Sequence, residues 1–169
     1  MGFSVALKVE PPWADRIVEF SEYLASLAPT DVLLGMNSEP HVTVLKTTAE
    51  APYSASDMDI TPIKDTEVEL EFRGLNIVPS RSTPRTWVEV SVLSGMEMRS
   101  IHEWVRDHLS IDANYLECEV GERWRPHITV ARFLDRTPDH LEIPRTLLRA
   151  KGVRATLAVG TAGDTFLAS

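Results

Sequence analysis

The chain contains little cysteine and no long apolar run. Cys118 is its only cysteine, which excludes an intrachain disulfide and a cysteine-based metal cluster. A reducing, cytoplasmic compartment is therefore expected. No apolar stretch approaches the ~18 residues that a membrane-spanning helix requires. The first residues show no basic region followed by an apolar segment and a cleavage site, so no secretory signal is expected.

Basic residues are scarce relative to acidic ones. Seventeen Lys and Arg stand against 25 Asp and Glu, which gives a formal net charge of −8. Binding along a long nucleic acid depends on many phosphate contacts, and the sequence has no basic stretch to supply them. A few well-placed groups can still hold one or two phosphates. Small anionic ligands therefore remain open as partners, and neither a long nucleic acid nor a membrane is expected.

The remaining composition is that of a folded globular protein. Hydrophobic residues make up 43% and charged residues 25% of the chain, which is the ordinary balance for such proteins. A length of 169 residues is enough for one domain with a substantial core. Residues 1–169 are expected to form a single domain.

Strands and helices are predicted to alternate along the chain. Period-two stretches indicate strands, and apolar residues at three- and four-residue steps indicate helices. The predicted strands cover residues 3–9, 40–47, 67–72, 75–78, 86–92, 116–120, 126–133 and 153–159, and the predicted helices cover 15–28, 96–109 and 144–150. Residues 48–65 are expected to be an irregular loop, and Gly74 is expected at a bulge. This interleaving predicts an α+β fold.

Two seven-residue segments repeat. Residues 40–46 read Pro-His-Val-Thr-Val-Leu-Lys, and residues 126–132 read Pro-His-Ile-Thr-Val-Ala-Arg. Side chains alternate along a strand, so each His shares a face with its Thr, and the residues between and after them face the core. If two duplicated lobes face each other, both pairs converge on one cleft. These four residues are His41, Thr43, His127 and Thr129.

Two imidazoles and two hydroxyls in one cleft suit phosphodiester chemistry. Histidine titrates near neutrality, so one ring can act as a base while the other acts as an acid. The threonine hydroxyls can stabilise charge that builds on the phosphate. This chemistry needs no metal and no cofactor. No carboxylate or third His stands at a ligand-like spacing that would favour a metal site.

The sequence resembles the 2H phosphoesterase superfamily, which includes 2′–5′ RNA ligase-like proteins and cyclic phosphodiesterases. The resemblance rests on the two His-x-Thr strands, on Arg-Thr-Trp-Val-Glu-Val at residues 85–90, on Arg-Pro-His-Ile-Thr-Val at residues 125–130, and on the order of the predicted elements. It extends over most of the chain, although residues 48–65 match no pattern of that family.

The resemblance implies a fold, a site and a range of substrates. It implies a bilobal α+β fold with duplicated antiparallel sheets, pseudo-two-fold symmetry and a metal-independent active site in the groove between the lobes. The catalytic roles that it implies fall on His41, Thr43, His127 and Thr129. Members of the superfamily act on RNA ends, cyclic phosphates and 2′–5′ oligonucleotides, and some degrade cyclic nucleotide signals of immunity.

Other residues are candidates for substrate binding. Trp124 and Tyr53 could stack on a base, because aromatic–base stacking tolerates any sequence, and Arg85 could supply positive charge at the cleft mouth. Lys46 and Arg132 follow their histidines by five residues, which places them nominally on the opposite face in a solvated position. Twist at the strand end could instead bring them round to the cleft.

The remaining histidines and tryptophans are expected outside the site. His102, His108 and His140 are expected to be solvated surface residues, and Cys118 a packing residue. Trp13, Trp87 and Trp104 are expected in the core or against helices.

Two functions of different class follow from this interpretation. The first is a metal-independent phosphodiesterase that acts on a 2′,3′-cyclic phosphate, a 2′–5′ linkage or a cyclic oligonucleotide, including an immune signal. The second is a binding module that holds a nucleotide in the same cleft without turning it over. A monomer is expected in either case. The sequence leaves open which of the two histidines is the base and which is the acid.

Overall fold

Within the described residues, three α-helices and seven strands form the framework around the two repeated segments. The computed structural model describes residues 2–32, 34–53, 58–135, 137–161 and 166. In chain order its elements are β1 (Phe3–Val9), α1 (Trp13–Leu27), β2 (His41–Lys46), β3 (Glu67–Leu70), β4 (Phe72–Pro79), β5 (Thr86–Val92), α2 (Met96–Leu109), β6 (His127–Phe133), α3 (Arg145–Leu148) and β7 (Val153–Thr161). Within the described part, no helix is long and apolar enough to cross a membrane.

The strands form two antiparallel sheets. One has four strands in the order β2-β1-β7-β3, and the other has three in the order β4-β5-β6. The two motif strands, β2 and β6, lie at the edges of their sheets and contact each other. The units β1-α1-β2 and β5-α2-β6 have the same order of elements. The predicted α+β fold with duplicated antiparallel sheets is therefore confirmed.

Each motif strand carries a β-bulge at the same point of the repeat. The register of β1 against β2 skips Val44, because Val5 pairs with Leu45 and Ala6 pairs with Thr43. The register of β5 against β6 likewise skips Val130. An extra residue in one strand reverses the in–out alternation beyond it. Side chains after each bulge therefore change face.

The core lies behind the motif strands and joins the two halves. Val42, Val44, Ile128 and Val130 are all fully buried, as the alternation predicts. Helix α1 contacts β6, and helix α2 contacts β2, so each helix packs against the motif strand of the other half. This crossed packing fixes β2 and β6 relative to each other.

Three predicted elements differ from the structure. Residues 116–120 are not a strand: two short 3₁₀ turns, Ala113–Tyr115 and Gly121–Arg123, flank this segment, and Leu116 makes only an isolated bridge to Thr47. Helix α3 has only four residues. The break between β3 and β4 lies at Glu71, where the chain passes from one sheet to the other.

The bulge expected at Gly74 is present. The register between β4 and β5 shifts between Phe72 and Gly74, and Gly74 has a φ of 124°. A side chain at this φ would be strained, so glycine suits the position.

Candidate active site

Both His-Thr pairs line one cavity between β2 and β6. The cavity has a volume of about 460 Å³, and His41, Thr43, His127 and Thr129 all line it. The four side chains thus converge as the repeat predicts. A second cavity of about 500 Å³ lies between α1 and residues 142–147. Its lining includes no histidine, so it offers no comparable acid–base pair.

The two imidazoles are held in the same way. His41 Nδ1 lies 2.6 Å from the carbonyl oxygen of Glu39, and His127 Nδ1 lies 2.8 Å from that of Arg125. A carbonyl oxygen only accepts hydrogen bonds, so Nδ1 carries the proton in each neutral ring. The other nitrogen, Nε2, is then the ring atom that the Nδ1 contacts leave available for proton exchange.

The surroundings of His41 favour its neutral form. The ring of Phe166 lies 4.8 Å from that of His41, between centroids. Phe166 is itself held by Ser38 and Glu39, because its N–H donates to Ser38 Oγ at 2.9 Å and its carbonyl accepts from the Glu39 N–H at 2.7 Å. Burial lowers the pKa of His41 from 6.5 to about 4, and the nearby His127 and Lys46 also lower it. His41 is therefore unprotonated at neutral pH.

His127 lies beside a carboxylate rather than an aromatic ring. Its Nε2 lies 3.3 Å from Oε1 of Glu89, and the His127 side chain is 31% exposed. Arg125 donates to the other oxygen of Glu89, Oε2, at 2.8 Å. An adjacent carboxylate stabilises the imidazolium form. The two equivalent histidines thus differ in their electrostatic environment.

Lys46 and Arg132 line the cavity, so their predicted placement on the opposite strand face is wrong. The bulges at Val44 and Val130 are the reason, because each reverses the alternation between the histidine and the basic residue that follows it. Lys46 pairs with Glu117 at 2.8 Å. Arg132 is almost fully buried and makes a bidentate pair with Asp31.

The predicted substrate-binding residues occupy three different settings. Trp124 is nearly buried and lines the cavity, its ring stacks on His102 at 4.3 Å between centroids, and its Nε1 donates to the Thr43 carbonyl at 3.0 Å. Tyr53 packs edge-on against Tyr115. Among the described residues that line the cavity, neither Tyr53 nor Arg85 occurs.

Arg85 lies beside the cavity. Its guanidinium is 3.9 Å from Asp31, the partner of Arg132, and its side chain is 43% exposed. It therefore adds positive charge close to the cleft without lining it.

The prediction that His102 is a solvated surface residue is wrong. It is only 2% exposed, its Nδ1 donates to the Val44 carbonyl at 2.9 Å, and its Nε2 accepts from the Gly121 N–H at 3.0 Å. Burial lowers the pKa of His102. Its position four residues after Met98 and three before Val105, both buried on α2, is the signal that places it on the apolar face. His108 and His140 are exposed, as predicted.

His102 and Trp124 support the first motif strand. They bond to the carbonyls of two successive residues, Val44 and Thr43, at the bulge of β2. Cys118 packs nearby, with its Sγ accepting from the Lys46 N–H at 3.2 Å, and burial raises the pKa of its thiol. These contacts fix the strand that carries His41.

Sequence reasoning missed other residues of the site, among them Trp87, Glu89 and Phe166. Trp87 was expected in the core or against a helix but lines the cavity, with the Arg132 guanidinium 5.9 Å from its ring centroid. Glu89 contacts His127, and Phe166 covers His41. The strict alternation of β5 carried a signal for Trp87 and Glu89, because both stand opposite the buried face of Val88, Val90 and Val92.

The arrangement of the described residues does not favour a metal site. Within the described ranges, no group of three or more His, Cys, Asp or Glu side chains is arranged to hold a metal ion. The lining of the cavity includes the histidine pair, the two threonine hydroxyls, four basic side chains and the carboxylates of Glu117 and Glu119.

Two duplicated strand–helix–strand units present paired His and Thr side chains to one cavity. A family model described as the 2′-5′ RNA ligase superfamily matches residues 9–160. The chain belongs to this superfamily, which is part of the wider 2H phosphoesterase superfamily. The resemblance found in the sequence is thereby confirmed. A search of the curated proteins finds no match.

Proposed function

We propose that the protein is a metal-independent phosphodiesterase of small nucleotides, with His41 as the general base and His127 as the general acid. The observation that carries this proposal is the pair of equivalent imidazoles in one cavity, one covered by Phe166 and the other in contact with Glu89. Acid–base catalysis needs one group of each kind at the same pH. The two environments supply that difference.

The proposed reaction on a 2′–5′ linkage is an internal transesterification. His41 Nε2 takes the proton of the ribose 3′-hydroxyl, whose oxygen attacks the adjacent phosphorus. The bond from phosphorus to the 5′-oxygen breaks, and His127 Nε2 gives that oxygen its proton. The products are a 2′,3′-cyclic phosphate and a 5′-hydroxyl. Reversal of the same step would join these two ends.

A cyclic phosphate would follow the same scheme with water as the nucleophile. His41 takes a proton from water as its oxygen attacks phosphorus, and His127 protonates the ribose oxygen that leaves. The product is a phosphomonoester. Each positioned proton transfer contributes about 10²–10⁴-fold to the rate.

Thr43 and Thr129 are proposed to donate to the non-bridging phosphate oxygens. Both share the cavity with the imidazoles, and a hydroxyl donor is most effective where negative charge develops. Lys46, Arg125 and Arg132 add positive charge, although each already has a carboxylate partner. Within the described part of the chain, Arg123 lines the cavity without a carboxylate in ion-pair range.

The proposed substrate is one or two nucleotides rather than a polymer. A cavity of about 460 Å³ is at the small end of ligand sites, which span about 300–1,000 Å³. Basic side chains concentrate there in a protein whose net charge is −8. Trp87 offers an aromatic surface for a base. A 2′,3′-cyclic nucleotide, a 2′–5′ dinucleotide or a small cyclic oligonucleotide has this chemistry.

The test is a panel of 2′,3′-cyclic, 2′–5′ and 3′–5′ linked nucleotides incubated with excess chelator. We expect turnover of at least one member, with cyclic phosphate or monoester products. Binding without product for every member would contradict the proposal and favour a nucleotide-binding module. Turnover that is lost with chelator and restored by a divalent metal would assign the site to metal-dependent hydrolysis instead.

A further inference from the structure

The two halves of the site differ at the position opposite the threonine. On the first sheet Ala6 pairs with Thr43, and on the second Glu89 pairs with Thr129. Residues that pair directly across a ladder point to the same face, so the second half places a buried carboxylate beside its His-Thr pair where the first has a methyl group. This difference breaks the symmetry of the two equivalent units.

Glu89 is buried and fully engaged. It is only 4% exposed, with Oε1 at 3.3 Å from His127 Nε2 and Oε2 at 2.8 Å from Arg125. A buried carboxylate is costly unless cations accompany it. Arg125 is one such cation, and the His127 ring is the other group in contact with the carboxylate. A carboxylate facing a phosphate site would otherwise oppose the binding of an anion.

We propose that Glu89 is a positioning residue that keeps the proton on His127 Nε2 and so fixes the direction of catalysis, with His127 as the acid and His41 as the base. This inference rests on the proposed function. The contact of 3.3 Å is longer than the 2.7–2.9 Å of a charge-assisted hydrogen bond. The proton can therefore pass to the leaving oxygen without first breaking a short bond. The ion pair between Arg125 and Oε2 of Glu89 holds the Glu89 carboxylate in place.

The other charged groups near His127 oppose its protonation or lie elsewhere in the cavity. His41 on β2 interacts electrostatically with His127, and Arg125 precedes the same strand. The remaining charged groups that line the cavity are Lys46, Arg123, Arg132, Glu117 and Glu119. Glu89 is the carboxylate in direct contact with Nε2 among the described residues.

The first test is Glu89→Gln, which keeps the shape of the side chain and removes its charge. We expect the alkaline limb of the kcat/KM profile to move to lower pH by about one unit, because an opposite charge within ~4–6 Å typically shifts such a group by 1–3 units. The acidic limb, assigned to His41, should stay in place. A lower rate with both limbs unmoved would give Glu89 a purely structural role and overturn the inference.

The matched variant is Arg125→Ala, which removes the cation on the other side of Glu89. Arg125 is half-exposed, so this chain is expected to fold even if Glu89→Gln does not. The alkaline limb should then move to higher pH, opposite to Glu89→Gln. Movement to lower pH, or none, would contradict the inference.

An NMR titration of the His127 ring in the full-length protein separates this inference from the proposed function. The His127 transition should move to lower pH in Glu89→Gln whether or not a substrate is known. If the transition moves but no nucleotide of the panel is turned over, the proposed function fails while the effect of the Glu89 charge stands. An unmoved transition overturns the inference by itself.

Discussion

Replacing Phe166 tests how the protein obtains a base at neutral pH. The ring lies 4.8 Å from His41, and burial is the main cause that lowers the pKa of His41 to about 4. In Phe166→Ala, water reaches the imidazole and stabilises its charged form. We expect the acidic limb of kcat/KM to rise from about pH 4 toward pH 6.5, the ordinary value for this group.

The pKa of His41, about 4, lies about 2.5 below its ordinary value of 6.5. At 1.36 kcal/mol for each pH unit, this difference corresponds to about 3 kcal/mol. His127 and Lys46 also lower the pKa of His41 and remain in the variant. Removal of the ring should therefore recover only part of the interval, about 1–2 pH units.

The assay measures kcat/KM for the best substrate of the nucleotide panel from roughly pH 3.5 to 9. This range brackets both the lowered pKa of His41, about 4, and its ordinary value of 6.5. Phe166→Leu is the matched control, since it keeps an apolar cover over His41 and should leave the acidic limb in place. An acidic limb near pH 6.5 in the unmodified protein would refute the reasoning, and so would an unmoved limb in a folded Phe166→Ala variant.

Three further predictions concern the threonine hydroxyls, the Trp87 ring in the cavity and the stability of the fold. Thr43→Val and Thr129→Val should each lower kcat by about 10²–10³-fold with little change in melting temperature. Trp87→Ala should weaken nucleotide binding by about 1–3 kcal/mol by calorimetry, and Trp87→Phe should retain most of the affinity. The free energy of unfolding, measured by urea titration, should fall as the pH falls from about 6.5 toward 4. The reason is that His41 and His102 bind fewer protons in the folded protein than in the unfolded chain. A free energy of unfolding that stays constant over this range would contradict the burial of these rings.

Much of the site could be predicted because the repeat is local. The pairs His41–Thr43 and His127–Thr129 each occupy one strand, and period-two alternation alone places each pair on one face. The same alternation gave the buried positions Val42 and Ile128. Convergence of the two pairs needed only the further idea that duplicated units face each other.

The parts that sequence reasoning missed depend on contacts between distant segments. The bulges at Val44 and Val130 carry no glycine or proline signal, yet they turn Lys46 and Arg132 into the cleft. The cover over His41 comes from Phe166, 125 positions along the chain, and no local pattern links the two.

The assignment of base and acid also depended on the folded chain. The two histidines have nearly identical sequence neighbours, so their different environments became visible only with Phe166 and Glu89 in place. His102 is buried against Trp124 and the bulge of β2, so its substitution is unsuitable as a neutral control for activity. His108, which is exposed on α2, takes that place.

The most direct test of the central claim is the metal-free turnover of His41→Ala, His127→Ala and the double variant against the unmodified protein. Each single change should lower the rate by about 10²–10⁴-fold for its lost proton transfer. The double variant should lose less than the product of the two, since both transfers serve one reaction. His108→Ala should leave the rate nearly unchanged. A folded His41→Ala or His127→Ala variant that keeps the turnover of the unmodified protein would contradict the account.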